Sequence, residues 1–502
     1  MRMANAQKQE TWSKEAGYIW SMIGSAVGFA NVLSFSALCY KNGGGAFLIP
    51  YIVAHLVIGL PMLILEGMIG QRTRLPIVTA MGNAAGSLGK MLGWLAVFTC
   101  ATIGGFYVVL TGYSVAYTYF AASGTIGCDS AFFFKHTFLH DSGSLAQLGG
   151  IAGGVLVSTL IVVIFAWSVL ARNVHAGIEK ICSLFMPLLG VIVLIFSLAT
   201  FFLPGAFEGF KHYLIPNFSR LGDWLLWRDV FGQVFFSLSL GLGIVTGYSR
   251  HNPTSFNVPR AMLKVAIGDF IISFVAGFAI FGCIGFMSAK SGIQFSQLVP
   301  TDSAFEIGFV IFPTILAQFG GLLARIIGPI FFFCVFIAGV TGFFSIVESV
   351  AGNIEVEFHK TRKRAVAIAM IFVGVLAFPF CMGNGQHLLG SLAPMVLGNA
   401  MLIGGIAEIV FFLMLSKAMK NDVVWQKGRR RSFAYYSLKY GVLPILTFIL
   451  VGALFKEISS GITTEGIVRF SWLAFVLISG GVLTYRCSAL GNIEIRQAET
   501  KL

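Results

Sequence analysis

Charged residues are scarce in this chain: they make up 11% of its 502 residues, whereas soluble proteins carry roughly 25%. So few charged side chains could not cover the surface of a soluble fold of this size. Hydrophobic residues account for 57% of the sequence, which excludes intrinsic disorder. Glycine is abundant, with 59 residues, and it is more frequent in membrane helices than in soluble ones. The composition therefore predicts a helical protein that crosses a membrane several times.

Signals for metal centres, disulfide frameworks and common catalytic motifs are missing as well. The eight cysteines show no CxxC or Cys/His spacing. The HExxH and GxSxG motifs are absent. A dinucleotide-binding loop would follow a strand, but no strand is predicted before the glycines at 241, 243 and 247. The polar segment 1–15 has no apolar core with a cleavage site, so no cleaved signal peptide is expected. We therefore expect that the protein is not an enzyme.

Twelve apolar runs are long enough to cross a bilayer, which takes about 20 residues per helix. All are helices by length, because barrel strands would be about ten residues long and would alternate in polarity. The runs cover residues 17–38, 46–70, 92–121, 149–171, 176–203, 230–249, 265–287, 326–350, 365–382, 388–416, 434–455 and 467–486.

Lysine and arginine set the expected orientation. With the N-terminus in the cytoplasm, the cytoplasmic segments hold most of the 34 basic residues, as the positive-inside rule requires. An even number of spans then places both termini in the cytoplasm. The same rule accounts for the net charge of +13, so no nucleic acid partner is expected; the partner is the lipid bilayer.

Two predicted spans combine glycine with hydroxyl or amide side chains at mid-membrane depth, at Gly24–Asn31 and Gln233–Gly243. Such a helix can unwind where its freed backbone lines a cavity. Unwound half-helices offer N–H groups to an anionic substrate and carbonyl oxygens to cations. Close helix packing at small residues is the alternative for either segment alone. A pair of interrupted spans, one opening each half of the chain, favours a transporter built from inverted repeats.

Four carboxyl groups stand at membrane depth, where a charge is costly: Glu66, Asp269, Glu348 and Glu408. Asp269 has Ser273 one turn later on the same helix face, which favours contact with an ion. For Glu66 and Glu408 we expect a structural hydrogen bond to neighbouring backbone.

Two strings are highly specific together, NGGGAFLIPY at Asn42–Tyr51 and QVFFSLSLGLG at Gln233–Gly243. With the Gly24–Asn31 and Ala338–Thr341 segments, they resemble the neurotransmitter:sodium symporter family, in its bacterial branch that transports amino acids. The resemblance covers nearly the whole chain. It implies an all-α membrane protein of twelve transmembrane helices, with two five-helix inverted repeats, unwound helices 1 and 6, and two extra helices.

The domains implied by this resemblance follow the predicted spans. They are a cytoplasmic N-terminal tail at 1–16, a first repeat at 17–203, a second repeat at 224–416, helices 11 and 12 at 434–486, and a cytoplasmic C-terminal tail at 487–502. The short tails resemble those of bacterial members, which implies the inner membrane. The oligomeric state is left open.

The resemblance also implies sodium-coupled symport of a neutral, hydrophobic amino acid by alternating access. Gly28 stands where carriers of monoamines have Asp, so the substrate is expected to bring its own carboxylate. The implied substrate-binding residues are Ala26, Phe29, Ala30, Ile103, Tyr107, Phe236, Ser239, Leu242, Gly342 and Ile346. A proton-coupled transporter of the same fold and a non-transporting substrate sensor are the alternatives.

Two sodium sites and one chloride site map onto the chain in the same way. The first sodium site would use Ala26, Asn31, Ser237 and Asp269, and the second Gly24, Val27, Ala338 and Thr341. The chloride-site equivalents are Tyr51, Gln233, Ser237, Asp269 and Ser273. The family usually has Asn at position 269, so we expect the Asp269 charge to replace chloride. The family also supplies a hydroxyl where Gly342 stands, which puts the second sodium site in doubt.

The gates depart from the family's pattern. The two positions of the family's outer ion pair are occupied by Ser34 and Ala393 here. We therefore expect outer closure to depend on Tyr107 and Phe236 instead of an ion pair.

Trp12 matches the inner gate of the family. The family's Arg near it is Gln9 here, with Lys8 as a candidate substitute. The position of the family's opposing Asp falls near Val356, which is flanked by Glu355 and Glu357.

Overall fold

The computed structural model describes residues 10–127, 129–293, 307–317, 321–427, 430–459, 461 and 463–499. Helices account for nearly all of the regular structure, as predicted. The longer ones are α1 (Glu15–Ala26), α2 (Ala30–Lys41), α3 (Gly45–Thr73), α4 (Ile77–Ser123), α5 (Gly153–Leu170), α6 (His175–Thr200), α7 (Ala206–Leu214), α8 (Trp224–Ser237), α9 (Ile244–Ser249), α10 (Val258–Ser291), α11 (Gly321–Glu357), α12 (Arg362–Cys381), α13 (Gly385–Leu415), α14 (Phe433–Ser459) and α15 (Thr464–Glu499).

Shorter elements connect these helices. Single turns lie at Ser130–Phe132, Phe133–Phe138, Phe218–Gly222, Ile307–Ile311, Phe312–Ala317, Lys417–Lys420 and Val423–Trp425. Two strands, β1 (Gln426–Lys427) and β2 (Arg430–Arg431), pair in antiparallel fashion. They lie in the basic connection between α13 and α14.

Ten helices in the described part of the chain are long and apolar enough to cross a membrane, and an eleventh span is the bent pair of α1 and α2. The predicted run 230–249 is divided between α8 and α9 by the non-helical segment Leu238–Gly243. This division explains why the count is below the predicted twelve. The boundaries of the two repeats stay predictions.

Both predicted helix breaks are present. Between α1 and α2 the chain leaves helical geometry at Val27, and the two helices meet at 55°. Between α8 and α9 the backbone takes positive φ at Ser239 (55°), Gly241 (72°) and Gly243 (69°). Glycine adopts this left-handed region without steric cost, which explains why the second break lies in a glycine-rich string.

The two breaks are joined directly by hydrogen bonds. The Ser239 hydroxyl donates to the Ser25 carbonyl at 3.3 Å, and the Gln233 amide donates to the Ala30 carbonyl at 2.6 Å. The freed backbone groups of one broken helix are thus satisfied by side chains of the other. The long helices α4 and α11 pack beside this junction, and their inner faces are almost fully buried.

Candidate functional site

A small cavity of about 30 Å³ lies where the two broken helices meet α4 and α11. Its lining residues are Ser25, Ala26, Gly28, Ala30, Ile103, Tyr107, Phe236, Ser237, Ser239, Leu242, Ile244, Gly342 and Ile346. Nine of the ten predicted substrate-binding residues are among them, and Phe29 is the exception. None of these lining side chains is charged. The cavity therefore suits a molecule that has no charged side chain.

Tyr107 closes one end of this cavity. A Cβ atom added at Gly28 would collide with the Tyr107 hydroxyl, and one added at Gly342 would lie 2.6 Å from it. The Tyr107 hydroxyl also hydrogen-bonds with the backbone of Phe29, whose ring packs edge-on against the tyrosine ring with centroids 4.9 Å apart. The two glycines at 28 and 342 thus make room for this ring.

A larger vestibule of about 660 Å³ lies beyond Tyr107 and Phe236, which line both spaces and separate them. Ser34 and Ala393, the two residues that the sequence places at the outer gate, both line the vestibule. The Ser34 hydroxyl donates to Gln233 Oε1 at 3.0 Å. The predicted gate position at Ser34 therefore holds a neutral hydrogen bond.

Charges in the vestibule come from residues that the sequence reasoning missed. Asp229 lies 2.9 Å from Arg228 and 3.7 Å from Lys41, and it accepts a hydrogen bond from Asn42. Asp229 follows the short turn at Phe218–Gly222 and lies in the first turns of α8. A charged residue near the start of a helix is common, so nothing in the sequence singles it out.

A buried cluster of oxygen atoms lies next to the cavity. The Asn31 amide nitrogen is 2.9 Å from Ser237 Oγ, 2.7 Å from Asp269 Oδ1 and 2.8 Å from Ser273 Oγ. The Ser237 hydroxyl also donates to Asp269 Oδ1 at 2.8 Å. All four residues are buried. Three of the four predicted ligands of the first sodium site are thus in mutual contact: Asn31, Ser237 and Asp269.

The donor chemistry of this cluster fits a hard cation, which prefers oxygen ligands. One amide NH₂ group has two protons, yet more than two oxygen atoms surround it. The Asn31 oxygen points away and accepts the Gly28 N–H at 2.9 Å. A cation in this cluster requires the amide to turn over, so that Asn31 Oδ1 replaces the nitrogen.

His55 is the main member of this cluster that the sequence reasoning missed. Its Nε2 atom lies 2.9 Å from Asp269 Oδ2, and its Nδ1 atom lies 3.2 Å from the Tyr51 carbonyl oxygen. The side chain is only 5% exposed. The sequence did contain a signal for His55, because an ionisable residue stands inside a predicted membrane span one turn after Tyr51. The same kind of signal identified Asp269.

The predicted chloride-site residues are only partly brought together. Tyr51 donates to Ser273 Oγ at 3.4 Å, and Ser273, Ser237 and Asp269 meet around the Asn31 amide. Gln233 instead donates from its amide nitrogen to the Ala30 carbonyl oxygen and accepts a hydrogen bond from the Ser34 hydroxyl.

The second predicted sodium site joins α1 to α11. The Thr341 hydroxyl donates to the Ile337 carbonyl at 2.9 Å and lies 3.3 Å from the Ala338 carbonyl. A Cβ atom at Gly24 would lie 3.2 Å from Thr341 Cβ, so the two helices approach closely there. Position 342 contributes no hydroxyl, because its glycine accommodates Tyr107.

The side of the molecule opposite the vestibule is closed around Trp12. This residue is 2% exposed, and its indole N–H donates to the Tyr248 carbonyl at 2.9 Å. Its ring also packs edge-on against the Tyr248 ring, with centroids 5.4 Å apart. Trp12 thus joins the start of α1 to α9.

An ion network centred on Glu348 lies beside Trp12. The buried Glu348 carboxylate is 2.9 Å from Arg362, 3.5 Å from Arg250 and 3.3 Å from His251. Arg362 also reaches Glu10 at 3.4 Å. Four separate chain segments meet in this network.

The predicted inner-gate partners differ from this arrangement. Lys8 and Gln9 lie outside the described residues. Glu357 pairs with Lys90 at 2.8 Å, whereas Glu355 binds Arg250 at 3.0 Å. The central acid is therefore Glu348, one of the four carboxyl groups at membrane depth.

A helical membrane protein with two broken helices that meet at a neutral cavity and an oxygen cluster has the architecture of a secondary transporter. The chain belongs to the sodium:neurotransmitter symporter family, whose model matches residues 9–130 and 125–477. This is a family of transporters rather than enzymes.

Individual relatives agree with this assignment. The chain is 34% identical to an uncharacterized sodium-dependent transporter of Methanocaldococcus jannaschii, over 81% of this chain and 82% of the relative. It is 27% identical to the sodium-dependent dopamine transporter of Bos taurus, over 89% of this chain and 69% of the relative. The crystal structure of MhsT in complex with L-phenylalanine shares the fold, with a TM-score of 0.74, 24% identity, and coverage of 88% of this chain and 99% of MhsT.

Proposed function

We propose that this protein is a sodium-coupled symporter of a neutral, hydrophobic amino acid. The observation that carries the proposal is the uncharged cavity between the two broken helices, directly beside the oxygen cluster at Asn31 and Asp269. A sodium ion in that cluster would neutralise the carboxylate of an amino acid in the cavity. Each would therefore bind better in the presence of the other, which is the basis of coupling.

The substrate's polar ends would use groups of the broken helices. Its carboxylate would meet the N–H groups of Phe29 and Ala30 at the start of α2, where the helix dipole favours negative charge, together with the Tyr107 hydroxyl. Its ammonium group would meet the carbonyls of Ala26, Phe236 and Ser239. With Gly28 in place of an acid, the cavity offers an amine no carboxylate.

The apolar lining selects the side chain of the substrate. Ile103, Leu242 and Ile346 line the cavity, and none of the other lining side chains carries a charge. A charged substrate side chain would lose its water there without gaining a partner, which is costly. That MhsT was crystallised with L-phenylalanine supports a hydrophobic amino acid here as well.

Two closures on opposite sides of the cavity support alternating access. Tyr107 and Phe236 separate the cavity from the vestibule, and the Trp12 and Glu348 contacts close the other side. We place the Trp12 side in the cytoplasm of a bacterial plasma membrane, with both termini on that side, because the predicted cytoplasmic segments of the sequence hold most of its basic residues.

Uptake into proteoliposomes tests the proposal. Labelled neutral amino acids would be offered under an imposed sodium gradient, with a potassium gradient as control, chloride replaced by gluconate, and pH varied. We expect uptake that requires sodium and ignores chloride. Uptake that ignores sodium and follows a proton gradient would overturn the ion assignment.

The Asp269→Ala variant tests the ion site, and Ser34→Ala, which removes one hydroxyl group in the vestibule, is the control. We expect the first to lose sodium-driven uptake and the second to keep it.

A further inference from the structure

The four carboxyl groups at membrane depth differ in their partners. Glu66 Oε1 accepts the backbone N–H of Gly241 at 2.8 Å, as expected. The same expectation for Glu408 is wrong, because no described backbone N–H group donates to its carboxyl oxygens. Asp269 and Glu348 each face a buried histidine instead. The histidine beside Glu348 belongs to the closure opposite the vestibule.

This histidine, His251, holds the N-terminal segment in the closure at two points. Its Nδ1 atom lies 2.9 Å from the Glu10 carbonyl oxygen, and its own carbonyl oxygen accepts the Trp12 N–H at 3.3 Å. The side chain is buried. Because a carbonyl oxygen only accepts hydrogen bonds, Nδ1 carries a proton whether the ring is neutral or charged.

The other ring nitrogen lies between a donor and an acceptor. His251 Nε2 is 3.2 Å from Arg250 Nε and 3.3 Å from Glu348 Oε1. A guanidinium group only donates hydrogen bonds, and a carboxylate only accepts them. A neutral ring therefore accepts from Arg250 and leaves Glu348 without its proton. A protonated ring donates to Glu348 and no longer accepts from Arg250, so one proton decides which contact forms.

The charges around the ring favour the protonated form. The ion pairs of this network join three carboxylates to two guanidinium groups: Glu10, Glu348, Glu355, Arg250 and Arg362. The negative charges exceed the positive ones by one. Since a buried charge is stabilised only by a partner, a positive charge on the imidazole would balance the network.

The other titratable groups on the elements packed here are uncharged or have contacts of their own. Tyr248 packs on the Trp12 ring, and Tyr18 shares a hydrogen bond with a serine hydroxyl at 2.7 Å. Tyrosines are uncharged at neutral pH. Glu357 on α11 pairs with Lys90 at 2.8 Å, and Glu179 on α6 accepts a backbone N–H of the N-terminal segment at 3.0 Å.

We propose that His251 is a proton-binding residue of the cytoplasmic closure. A proton that reaches Nε2 from the cytoplasm exchanges the Arg250 contact for one with Glu348 and holds the N-terminal segment closed. Opening separates the ring from Glu348, so closure and proton binding stabilise each other. An imidazole changes its charge between about pH 5 and 8, so acid on this side should slow opening. The cytoplasmic assignment rests on the proposed function, whereas the ring chemistry does not.

Nitrogen NMR of protein labelled in its histidines tests the ring chemistry directly. The signals of His251 are those that disappear in His251→Asn. We expect both ring nitrogens to be protonated near about pH 5, and a neutral ring with its proton on Nδ1 near about pH 8. A neutral ring with its proton on Nε2, or no change over this range, would overturn the proposal. The spectra need no transport, so this failure is distinct from failure of the proposed function.

Cysteine labelling tests the effect of the proton on closure. Ser249 is fully buried, and Ser249→Cys provides a small probe for a membrane-impermeant thiol reagent. The probe is compared at each pH in two backgrounds, with His251 and with His251→Asn, so that the pH dependence of the thiol itself cancels. Asn keeps an amide N–H near the position of Nδ1 and gains no proton. We expect labelling at about pH 6 to be at least about threefold slower with His251, and nearly equal rates at about pH 8.

His175→Asn is the matched control. Its imidazole is 62% exposed on the same side of the molecule and pairs with Glu179 at 3.0 Å. We expect this variant to keep the slower labelling at low pH. A ratio between the His251 and His251→Asn backgrounds that stays constant with pH would overturn the proposal. Loss of the pH effect in His175→Asn alone would do so as well, because it would assign the proton to His175.

Discussion

His55 Nε2 lies 2.9 Å from Asp269 Oδ2, and both side chains are buried. The other carboxylate oxygen of Asp269 accepts hydrogen bonds from Asn31 and Ser237. Asp269 therefore has a partner on each oxygen, and His55 supplies the partner on the side away from the proposed sodium position. The histidine holds the carboxylate in its orientation toward the oxygen cluster.

Removing the imidazole should impair the ion site. We expect His55→Leu to reduce sodium-driven uptake strongly, because breaking one side of a buried pair costs about 3–5 kcal/mol. The His55→Leu/Asp269→Asn double variant should recover part of the loss, since a neutral Asn leaves no unpaired carboxylate in the buried site. The sodium concentration for half-maximal uptake in His55→Leu, in Asp269→Asn and in the double variant measures this coupling. Purely additive losses would show that the pair is not coupled, and His136→Leu at an exposed position serves as control.

The fit of Tyr107 between two glycines gives a prediction for stability. A Cβ atom at position 342 would lie 2.6 Å from the Tyr107 hydroxyl. We expect Gly342→Ala to destabilise the protein by about 1–3 kcal/mol, as overpacked cores do. Removing the hydroxyl in Tyr107→Phe/Gly342→Ala should restore part of the apparent melting temperature. No restoration would mean that another contact limits position 342, and Gly374→Ala, where an added Cβ meets nothing within 4 Å, is the matched control.

The helix breaks were predictable because their cause is local. The glycines at 241 and 243 have positive φ, and a cluster of glycines inside a predicted span is visible in the sequence itself. The cavity lining was predictable because the resemblance to the family extends over both breaks. The His55 contact was not, since it joins residues 214 positions apart in the chain. Likewise, the sequence reasoning looked for the opposing acid next to Glu355 and Glu357, because only packing shows that Arg250 and Arg362 surround position 348.

Closure toward the vestibule should depend on an aromatic ring rather than an ion pair. Phe236 lines both the cavity and the vestibule. We expect Phe236→Ala to reduce substrate occlusion by about tenfold or more, because truncating a phenylalanine removes several kcal/mol of contacts. Ser34→Ala removes one neutral hydrogen bond worth about 0.5–1.5 kcal/mol and should have a small effect. Retention of bound labelled substrate after dilution measures occlusion, and a larger loss in Ser34→Ala than in Phe236→Ala would contradict the role of the ring.

Closure on the Trp12 side should depend on Glu348. Its carboxylate lies between Arg362, Arg250 and His251. Glu348→Gln would remove this fully buried counter-charge and leave the two arginines only their partly exposed partners, Glu10 and Glu355. We expect the variant to open this side, because a buried charge without its partner is strongly unfavourable. A Tyr248→Cys substitution provides the probe. This cysteine should then react faster with a membrane-impermeant thiol reagent, in membranes that expose both faces to it.

Glu355→Gln is the matched control for this network. Glu355 is 27% exposed and contacts Arg250 at its outer edge, so water can replace the lost contact. Solvent-exposed ion pairs contribute about 0–1 kcal/mol, and the labelling rate should therefore stay near that of the parent protein. If both substitutions accelerate labelling equally, the network has no central acid, and closure depends on the Trp12 contacts with Tyr248 instead.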